Sequence, residues 1–277
     1  MSDDATAFVP GHITGFFSAH PADDPAVAGS RGAGITLSHG VTVTVESAAE
    51  SVVTLDGTTV EMPPVETVLR TLGVSAAIHA ESKLPLGAGF GVSGAMALGA
   101  ALAANHVFDC GRSENDLVTI AHEAEVRAGT GLGDVVAQAR GGMPIRVEPG
   151  APDHGRMDGI PARPRIEYVA FGGLSTADVL SGDTTALTTA GETALDNLRT
   201  DPTLGQFMSE CQQFARDAGL LTERVTTAIE DVSDTGGNAA MAMLGETVFA
   251  VGTGLTDAGY DPEVCRVHPA GATLESQ

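Results

Sequence analysis

Apolar and polar residues alternate along the N-terminal part of the chain with the two-residue period of half-buried β-strands. Ile35 to Glu46 alternates in this way and predicts a pair of strands. Ser51 to Val60 repeats the pattern around Asp56-Gly57, a dipeptide typical of a hairpin turn. Ala76 to Ser82 predicts a further strand, and Pro64 to Leu72 predicts a short helix before it. The N-terminal part therefore mixes strands and helices.

A glycine-rich stretch follows these elements, from Leu84 to Ala95. Gly87, Gly89 and Gly91 lack the Cβ atom that would bar unusual backbone angles and the close approach of a ligand. The small residues from Ser93 to Ala104 predict a buried helix, whose free N–H groups face back into the loop. Such amides suit an anionic oxygen, phosphate above all. The glycine spacing and the missing Gly-Lys-Ser/Thr ending exclude the P-loop and dinucleotide fingerprints, and a plain tight turn stays as the alternative.

Helical periodicity continues beyond this stretch. Asp116 to Ala128 predicts a helix that is capped by Ser113 or Asn115. The glycines of Gly129 to Asp134 predict a turn, and Val135 to Ala139 begins the next apolar segment.

Proline, glycine and charged residues concentrate between Pro149 and Pro164, which predicts a connection between two lobes. Arg165 to Gly172 then predicts a strand, and Asp178 to Asp231 predicts several helices. Two short apolar runs, Ala239 to Leu244 and Thr247 to Val251, predict a hairpin.

Length and composition indicate a globular protein. The 277 residues, 43% hydrophobic and 18% charged, can form one large domain or two lobes that share a cleft. No apolar run reaches the roughly 18 residues that span a bilayer. The N-terminus lacks the basic and apolar regions of a secretory signal, so we expect a cytoplasmic protein.

The charge balance is strongly acidic, with a formal net charge of -22 and Lys83 as the only lysine. Such a surface repels nucleic acids and anionic membranes, so neither is expected as a partner. The composition resembles that of proteins from extreme halophiles, where high salt screens the self-repulsion. Cys110, Cys211 and Cys265 form no Cys-x-x-Cys pair, which argues against a disulfide framework and a structural zinc site.

The glycine-rich stretch fits the phosphate loop of a known kinase family. In the GHMP kinases, which include galactokinase, homoserine kinase and mevalonate kinase, that loop reads Pro-x-x-x-Gly-x-Gly-x-Ser-Ser/Gly-Ala. Five residues of this chain fill the pattern: Pro85, Gly89, Gly91, Ser93 and Ala95. The chain resembles these kinases from Phe8 to Val251.

The resemblance implies an α+β fold of two lobes. A ribosomal protein S5 domain 2-like N-terminal lobe is expected in residues 1–150, where it carries the phosphate loop and the catalytic residues. A ferredoxin-like C-terminal lobe is expected in residues 163–277. Gly236-Gly237-Asn238 resembles the third glycine motif of the family but lacks its usual Gly-Ala-Gly, which predicts a hairpin turn there rather than a nucleotide contact.

The opening segment of the chain resembles one particular branch of this family. Pro10 to Phe17 departs from the general family motif after its Pro-Gly, and with Gly29 to Gly34 it resembles the archaeal branch that phosphorylates pantoate on the route to coenzyme A. The resemblance implies ATP-dependent conversion of (R)-pantoate to 4-phosphopantoate, with ATP and Mg²⁺ as cofactors, and is compatible with a homodimer. Homoserine or mevalonate as the acceptor, and a nucleotide-binding protein without transfer activity, stay as alternatives.

The resemblance also implies roles for individual residues. The ATP phosphates are assigned to Pro85, Gly87, Ala88, Gly89, Phe90, Gly91, Val92, Ser93 and Gly94. Mg²⁺ is assigned to Ser93 and to Glu123 or Glu125, which lie about 200° apart around a helix, so that one of them is expected to be solvated. The spacing to Asp134 in mevalonate kinases favours Glu123. Asp134 is expected to orient the acceptor hydroxyl and accept its proton, with a turn-capping aspartate as the alternative.

Substrate binding is expected to depend on an arginine, because a planar guanidinium binds a carboxylate in a bidentate manner. Arg146 is the favoured residue, and Arg31 and Arg140 are the alternatives. Further polar contacts to the substrate are expected from His12, Thr14, Ser18 and His122.

Overall fold

Two β-sheets and the helices packed on them form the protein, for which the computed structural model describes residues 4–173, 184–243 and 245–275. Within those ranges the first sheet has eight strands and the second has four. The strands of the first sheet are β1 (Asp4–His20), β2 (Gly29–Ser47), β3 (Val52–Leu55), β4 (Thr58–Thr59), β5 (Ala76–Ser82), β6 (Met143–Glu148), β7 (Arg156–Ile160) and β12 (Thr273–Leu274). Those of the second sheet are β8 (Arg165–Gly173), β9 (Asn238–Ala242), β10 (Gly245–Val251) and β11 (Glu263–Arg266).

The long strands β1 and β2 form the centre of the first sheet, whose order is β12-β1-β2-β5-β3-β4. They pair in an antiparallel manner from Asp4↔Glu46 to His20↔Gly29. Strand β3 pairs in parallel with β5 and in an antiparallel manner with β4. Strand β6 pairs with β2 where Arg146 lies opposite Gly32. This register brings Arg146 beside the first residues of β2.

The predicted strand pair of Ile35 to Glu46 is wrong, because the segment belongs to one continuous strand of 19 residues. Pro10 pairs with Gly40 and Gly11 pairs with Leu37, so the residues between Leu37 and Gly40 form a bulge. A bulge absorbs extra residues, here Ser38 and His39, without ending the strand. The alternation of apolar and polar positions is the same on both sides of it, so the pattern alone does not separate one strand from two.

Four helices cover the first sheet: α1 (Pro63–Leu72), α2 (Val92–Val107), α3 (Glu114–Ala128) and α4 (Asp134–Arg140). Helix α2 is apolar on all sides because it packs against β1, β2, α1 and α3. A Cβ atom at Gly99 would lie 2.6 Å from the Cγ2 atom of Val43 on β2, so the small residues let this helix approach the sheet closely. Ser113, rather than Asn115, caps α3 and forms a capping box with Asp116.

The second sheet has the order β11-β8-β10-β9 and is accompanied by α5 (Thr185–Thr200), α6 (Leu204–Asp217), α7 (Glu223–Asp234) and α8 (Gly254–Asp257). Its helices also pack on the first sheet. Phe207 and Phe214 of α6 contact Phe16 of β1, with ring centroids 6.3 and 6.5 Å apart. A Cβ atom at Gly15 would overlap the sulfur of Cys211 on α6. One continuous hydrophobic core therefore joins the two sheets.

The predicted connection between Pro149 and Pro164 is shorter than expected, because Arg156–Ile160 forms β7 and pairs with β6. Residues 161–164 alone lead from β7 to β8. The chain later returns to the first sheet, where β12 pairs with β1.

The structure confirms most of the other predicted elements. The hairpin around Asp56-Gly57, the helix beginning near Pro64, the strand Ala76–Ser82 and the hairpin of β9 and β10 are all present. The predicted helices between Asp178 and Asp231 correspond to α5, α6 and α7, and residues 178–183 of that prediction lie outside the described residues. Gly236 and Gly237 connect α7 to β9, so the predicted hairpin turn at these residues is wrong. No helix within the described ranges is long and apolar enough to cross a membrane.

Candidate active site

The glycine-rich loop connects β5 to α2 in a backbone conformation that favours glycine. The φ angles of Gly87, Gly89 and Gly91 are 78°, 86° and 64°, all in the left-handed region. Gly91 is the N-terminal cap of α2, so the loop leads directly into the free amides of the helix. A Cβ atom at Gly87 would meet no protein atom within 4 Å. The loop therefore offers uncrowded main-chain amides beside open space.

A cavity of about 350 Å³ lies against this loop. The glycine loop, the turn before α4 and the segment that leads into α1 all line it, together with two residues of β1 and one each of β2 and β6. Among its lining residues are Thr14, Ser30, Met62, Gly87, Gly89, Gly91, Ser93, Gly131, Asp134, Arg146 and Met243. Six of the nine residues predicted to bind phosphate thus share one cavity with the predicted acceptor-facing acid and substrate arginine. Pro85, Ala88 and Gly94 are not among the described residues that line it.

Asp134 is the first residue of α4, and its side chain is 25% exposed. Its Oδ1 atom lies 2.7 Å from Nδ1 of His12, a completely buried residue of β1. Burial raises the pKa of Asp134, but the hydrogen bond from His12 and the positive charge of Arg146 outweigh this effect and hold the pKa below its ordinary value. Burial also lowers the pKa of His12. At neutral pH a charged carboxylate therefore accepts a hydrogen bond from a neutral imidazole.

The two candidate glutamates of α3 occupy different environments. Glu125 is 2% exposed and accepts hydrogen bonds from Ser93 Oγ at 3.3 Å and from Thr130 Oγ1 at 3.0 Å. Burial raises the pKa of Glu125 to about 7. Glu123 instead forms an ion pair at 2.6 Å with Arg127, on the next turn of the same helix. The structure thus brings Glu125, and not Glu123, to Ser93.

Arg146 is 2% exposed, although it carries a guanidinium group. Its Nε and Nη1 atoms have no hydrogen-bond partner among the described residues. Gly133 gives it room, because a Cβ atom there would lie 2.7 Å from Nε. A buried charge without a partner is costly. Arg146 also lines the cavity, so its guanidinium is a candidate partner for an anion there.

Comparisons with known proteins identify the family of this chain. Residues 63–142 match the family model of the GHMP kinases N terminal domain. The pantoate kinase of Methanospirillum hungatei is 36% identical over 257 residues, which cover 89% of this chain and 87% of that protein. The chain belongs to the GHMP kinase family. The pantoate kinase of Methanocaldococcus jannaschii is 35% identical over 251 residues, which cover 88% of this chain and 91% of that protein.

A solved structure places the whole chain in the same family fold. A phosphotransferase related to the coenzyme A biosynthesis pathway superposes with a TM-score of 0.88 at 28% identity, over 98% of both chains. The two-lobed α+β fold expected from the motifs is confirmed. As a GHMP kinase, the chain is an ATP-dependent small-molecule kinase.

Three of the predicted substrate contacts lie in or beside the kinase cavity, and two do not. Thr14 lines the cavity, Arg146 lies in its wall, and His12 reaches the site through Asp134. Ser18 is buried and bonds to Nε2 of His20 at 2.9 Å. Nε2 of buried His122 donates to the carbonyl of Ala28 at 2.8 Å. Neither Ser18 nor His122 is among the described residues that line the cavity.

The alternative arginines have other partners. Arg31 donates from Nε to the carbonyl of Val147 at 3.0 Å, and Arg140 donates to the carbonyl of Gly141 at 3.4 Å. Neither is among the described cavity residues of this kinase.

Sequence reasoning did not find two buried residues that contact the glycine loop of this kinase. Gln138 of α4 and Thr247 of β10 donate hydrogen bonds to loop carbonyls. Each is a single polar residue within an apolar segment. For Gln138, the position four residues after Asp134 is a signal that could have found it, because these positions share a helix face.

Proposed function

We propose that this protein phosphorylates the primary hydroxyl of pantoate with ATP, as its similarity to pantoate kinases suggests. The observation that carries the proposal is the buried, unpaired guanidinium of Arg146 in the cavity that Asp134 also lines. Pantoate carries a carboxylate and a primary hydroxyl. One molecule can therefore bind Arg146 through the first group and present the second to Asp134.

The glycine loop would hold the triphosphate of ATP. Its amides and the N-terminus of α2 supply positive partial charge, and the open space at Gly87 leaves room for the ligand. Phosphoryl transfer depends on positioning and on charge stabilisation more than on covalent chemistry by the protein. A preformed set of amides suits that requirement.

Ser93 and Glu125 fit a Mg²⁺ ion. The ion prefers oxygen ligands and uses one or two protein carboxylates together with substrate phosphates. Within the described residues, no three His, Cys, Asp or Glu side chains cluster as a metal site, so the phosphates would complete the coordination. The buried carboxylate of Glu125 has no cationic partner among the described residues, and its pKa is raised to about 7. When bound, the ion would neutralise charge on the transferring phosphoryl group.

Asp134 would act on the acceptor hydroxyl. The hydroxyl oxygen of pantoate forms a bond to the γ-phosphorus, the bond from that phosphorus to the β–γ bridging oxygen breaks, and ADP leaves. The hydroxyl proton passes to Asp134. His12 donates its Nδ1 proton to Oδ1 of Asp134, which fixes the carboxylate, and Thr14 also bonds to that carboxylate. In this mechanism His12 positions the base and does not contact the substrate.

The test is a transfer assay with the purified chain, ATP and Mg²⁺ in molar KCl, over pantoate, homoserine and mevalonate. We expect ADP release with pantoate, and ³¹P NMR should locate the new phosphate on its primary hydroxyl. D134N should lower kcat by about a hundredfold or more, because general-base catalysis contributes that much. ATP binding by this variant should stay close to that of the wild type.

Other outcomes would contradict the proposal. Faster phosphorylation of homoserine or mevalonate would assign a different acceptor to the cavity. ATP binding without transfer to any of the three acids and alcohols would favour a nucleotide-binding role. Equal loss of ATP binding and turnover in D134N would indicate that Asp134 stabilises the fold.

A further inference from the structure

Two buried side chains outside the reacting groups hold main-chain carbonyls of the glycine loop. Thr247 on β10 is completely buried, and its Oγ1 donates to the carbonyl of Ala88 at 2.9 Å. Gln138 on α4 is also completely buried, and its Nε2 donates to the carbonyl of Gly91 at 2.9 Å. Thr247 belongs to the second sheet, and Gln138 belongs to the helix that begins with Asp134.

These two hydrogen bonds fix the direction of the loop amides. In a trans peptide the C=O of one residue and the N–H of the next point in opposite directions. A carbonyl of Ala88 that is turned toward Thr247 therefore turns the N–H of Gly89 away from it. The carbonyl of Gly91 accepts from the N–H of Ala95 at 2.9 Å as well as from Gln138, and both bonds turn the N–H of Val92 the opposite way. Gly89 and Val92 line the cavity, whereas Ala88 is buried.

We propose that Thr247 and Gln138 are positioning residues that aim the Gly89 and Val92 amides at the phosphates of the nucleotide. The inference rests on the proposed function in one respect, namely that the cavity binds ATP. It goes beyond that function because it makes part of the affinity for phosphate depend on two side chains that do not contact the nucleotide.

The packing around Thr247 leaves the loop little freedom. A Cβ atom at Gly245, at the start of the same strand, would overlap the carbonyl oxygen of Ala88. At Gly89 a Cβ atom would lie 3.0 Å from the carbonyl oxygen of Met243. The β9–β10 hairpin is thus in direct contact with the loop backbone, and the hydroxyl of Thr247 supplies the polar contact between them.

Gln138 ties the phosphate loop to the acceptor site. It lies four residues after Asp134, on the same face of α4. A Cβ atom at Gly91 would lie 3.0 Å from Nε2 of Gln138 and 3.1 Å from Cβ of Asp134. One short helix therefore holds both the loop that would bind the phosphoryl group and the carboxylate that would receive the proton.

The experiment compares the affinities for ATP and adenosine, measured by calorimetry without any acceptor acid, in T247V, T247S and Q138M. Loss of one hydrogen bond to a charged group corresponds to about a tenfold loss of affinity. We expect T247V and Q138M to bind ATP about tenfold more weakly than the wild type and adenosine with unchanged affinity. T247S keeps the hydroxyl and should bind ATP as the wild type does.

A matched control is Q212M, which removes an amide that donates to the carbonyl of Ala239 at 2.7 Å, away from the loop. This variant should leave ATP affinity unchanged.

ATP affinities of T247V and Q138M equal to that of the wild type would overturn the proposal. So would equal losses for ATP and adenosine, or a T247S variant as weak as T247V, because these results indicate general packing. Because no acid is present, a wild type that binds ATP but does not phosphorylate pantoate would contradict only the proposed function.

Discussion

At the scale of single residues, Arg146 carries the assignment of an acidic substrate. The chain has 36 acidic and 14 basic residues, so a cation that is buried with no ion pair among the described residues is unusual here. Burial lowers the pKa of Arg146, while the charge of Asp134 raises it. An arginine nevertheless stays protonated at any physiological pH. The cavity wall therefore contains a fixed positive charge, whose Nε and Nη1 donors are buried and have no hydrogen-bond partner among the described residues.

Substitution of Arg146 should affect the acid far more than ATP. Removal of one partner from a buried charge pair costs about 2 kcal/mol or more, which corresponds to about a thirtyfold rise in KM for the acid. R146A should show this rise, and R146K should lie between R146A and the wild type because it keeps the charge without the planar fork. Steady-state kinetics with each substrate varied in turn would measure both KM values.

The alternative arginines provide the controls for this prediction. R31A and R140A should leave KM for the acid close to that of the wild type, because both side chains bond to main-chain carbonyls elsewhere. An unchanged acid KM in R146A, with a raised value in either control, would move the carboxylate site to that arginine.

At the scale of elements, the two faces of α3 decide which glutamate can serve a metal. Glu125 faces Ser93 and Thr130, whereas Glu123 pairs with Arg127 at the surface. The spacing to Asp134 favours Glu123, but a spacing along the sequence does not show which face of the helix a residue occupies. The side-chain directions on this helix favour Glu125 as the ligand.

E125Q should lower Mg²⁺-dependent turnover by about a hundredfold or more, since charge stabilisation by a metal contributes several kcal/mol. E123Q is the matched control, two positions away on the same helix, and should keep turnover within a few-fold of the wild type. A larger loss in E123Q than in E125Q would reverse the assignment. Kinetics over a Mg²⁺ titration would measure both.

The stability of metal-free E125Q separates a functional loss from a structural one. Burial raises the pKa of Glu125 to about 7, so the folded protein binds a proton that the unfolded chain has lost. The ionised carboxylate therefore costs stability, and this cost is absent below the unfolded pKa and grows as the pH rises through 7. At pH 8 without divalent cations, E125Q should be at least as stable as the wild type toward urea.

The elements also show what the sequence could predict. The glycine loop was predictable because positive φ angles at Gly87, Gly89 and Gly91 require glycine, and the helix after it because its small residues continue without a break. The contact of Thr247 was not predictable, because a hydrogen bond over 159 residues leaves no periodic signal. For Gln138 the spacing to Asp134 indicates a shared helix face, but not the contact with Gly91, which is 47 residues away. His12 was found as a polar residue of the site, but its bond to Asp134 depends on how β1 and α4 pack.

At the scale of the whole molecule, the cavity depends on two sheets that share one core. The first sheet supplies Arg146, the loop and the strand that carries His12, and the second supplies Thr247. A net charge of -22 opposes this compact arrangement, and salt screens the repulsion. Stability is therefore best compared between variants at the same salt concentration, where the global charge cancels.

At His122 the stability of the fold depends on pH. Burial lowers the pKa of His122, although its hydrogen bond to the Ala28 carbonyl opposes this effect. As the pH falls below about 6.5, the unfolded imidazole binds a proton that the folded one does not, so the wild type loses stability. H122N lacks this loss but leaves the Ala28 carbonyl poorly bonded, which costs about 1–3 kcal/mol at pH 8.

The difference in unfolding free energy between the wild type and H122N should therefore narrow from pH 8 to pH 5.5, as measured by urea unfolding. H106N, at an exposed position of α2, is the control and should show no difference from the wild type at either pH. A gap of H122N that stays constant over this range would mean that His122 takes up its proton equally in the folded and unfolded chains.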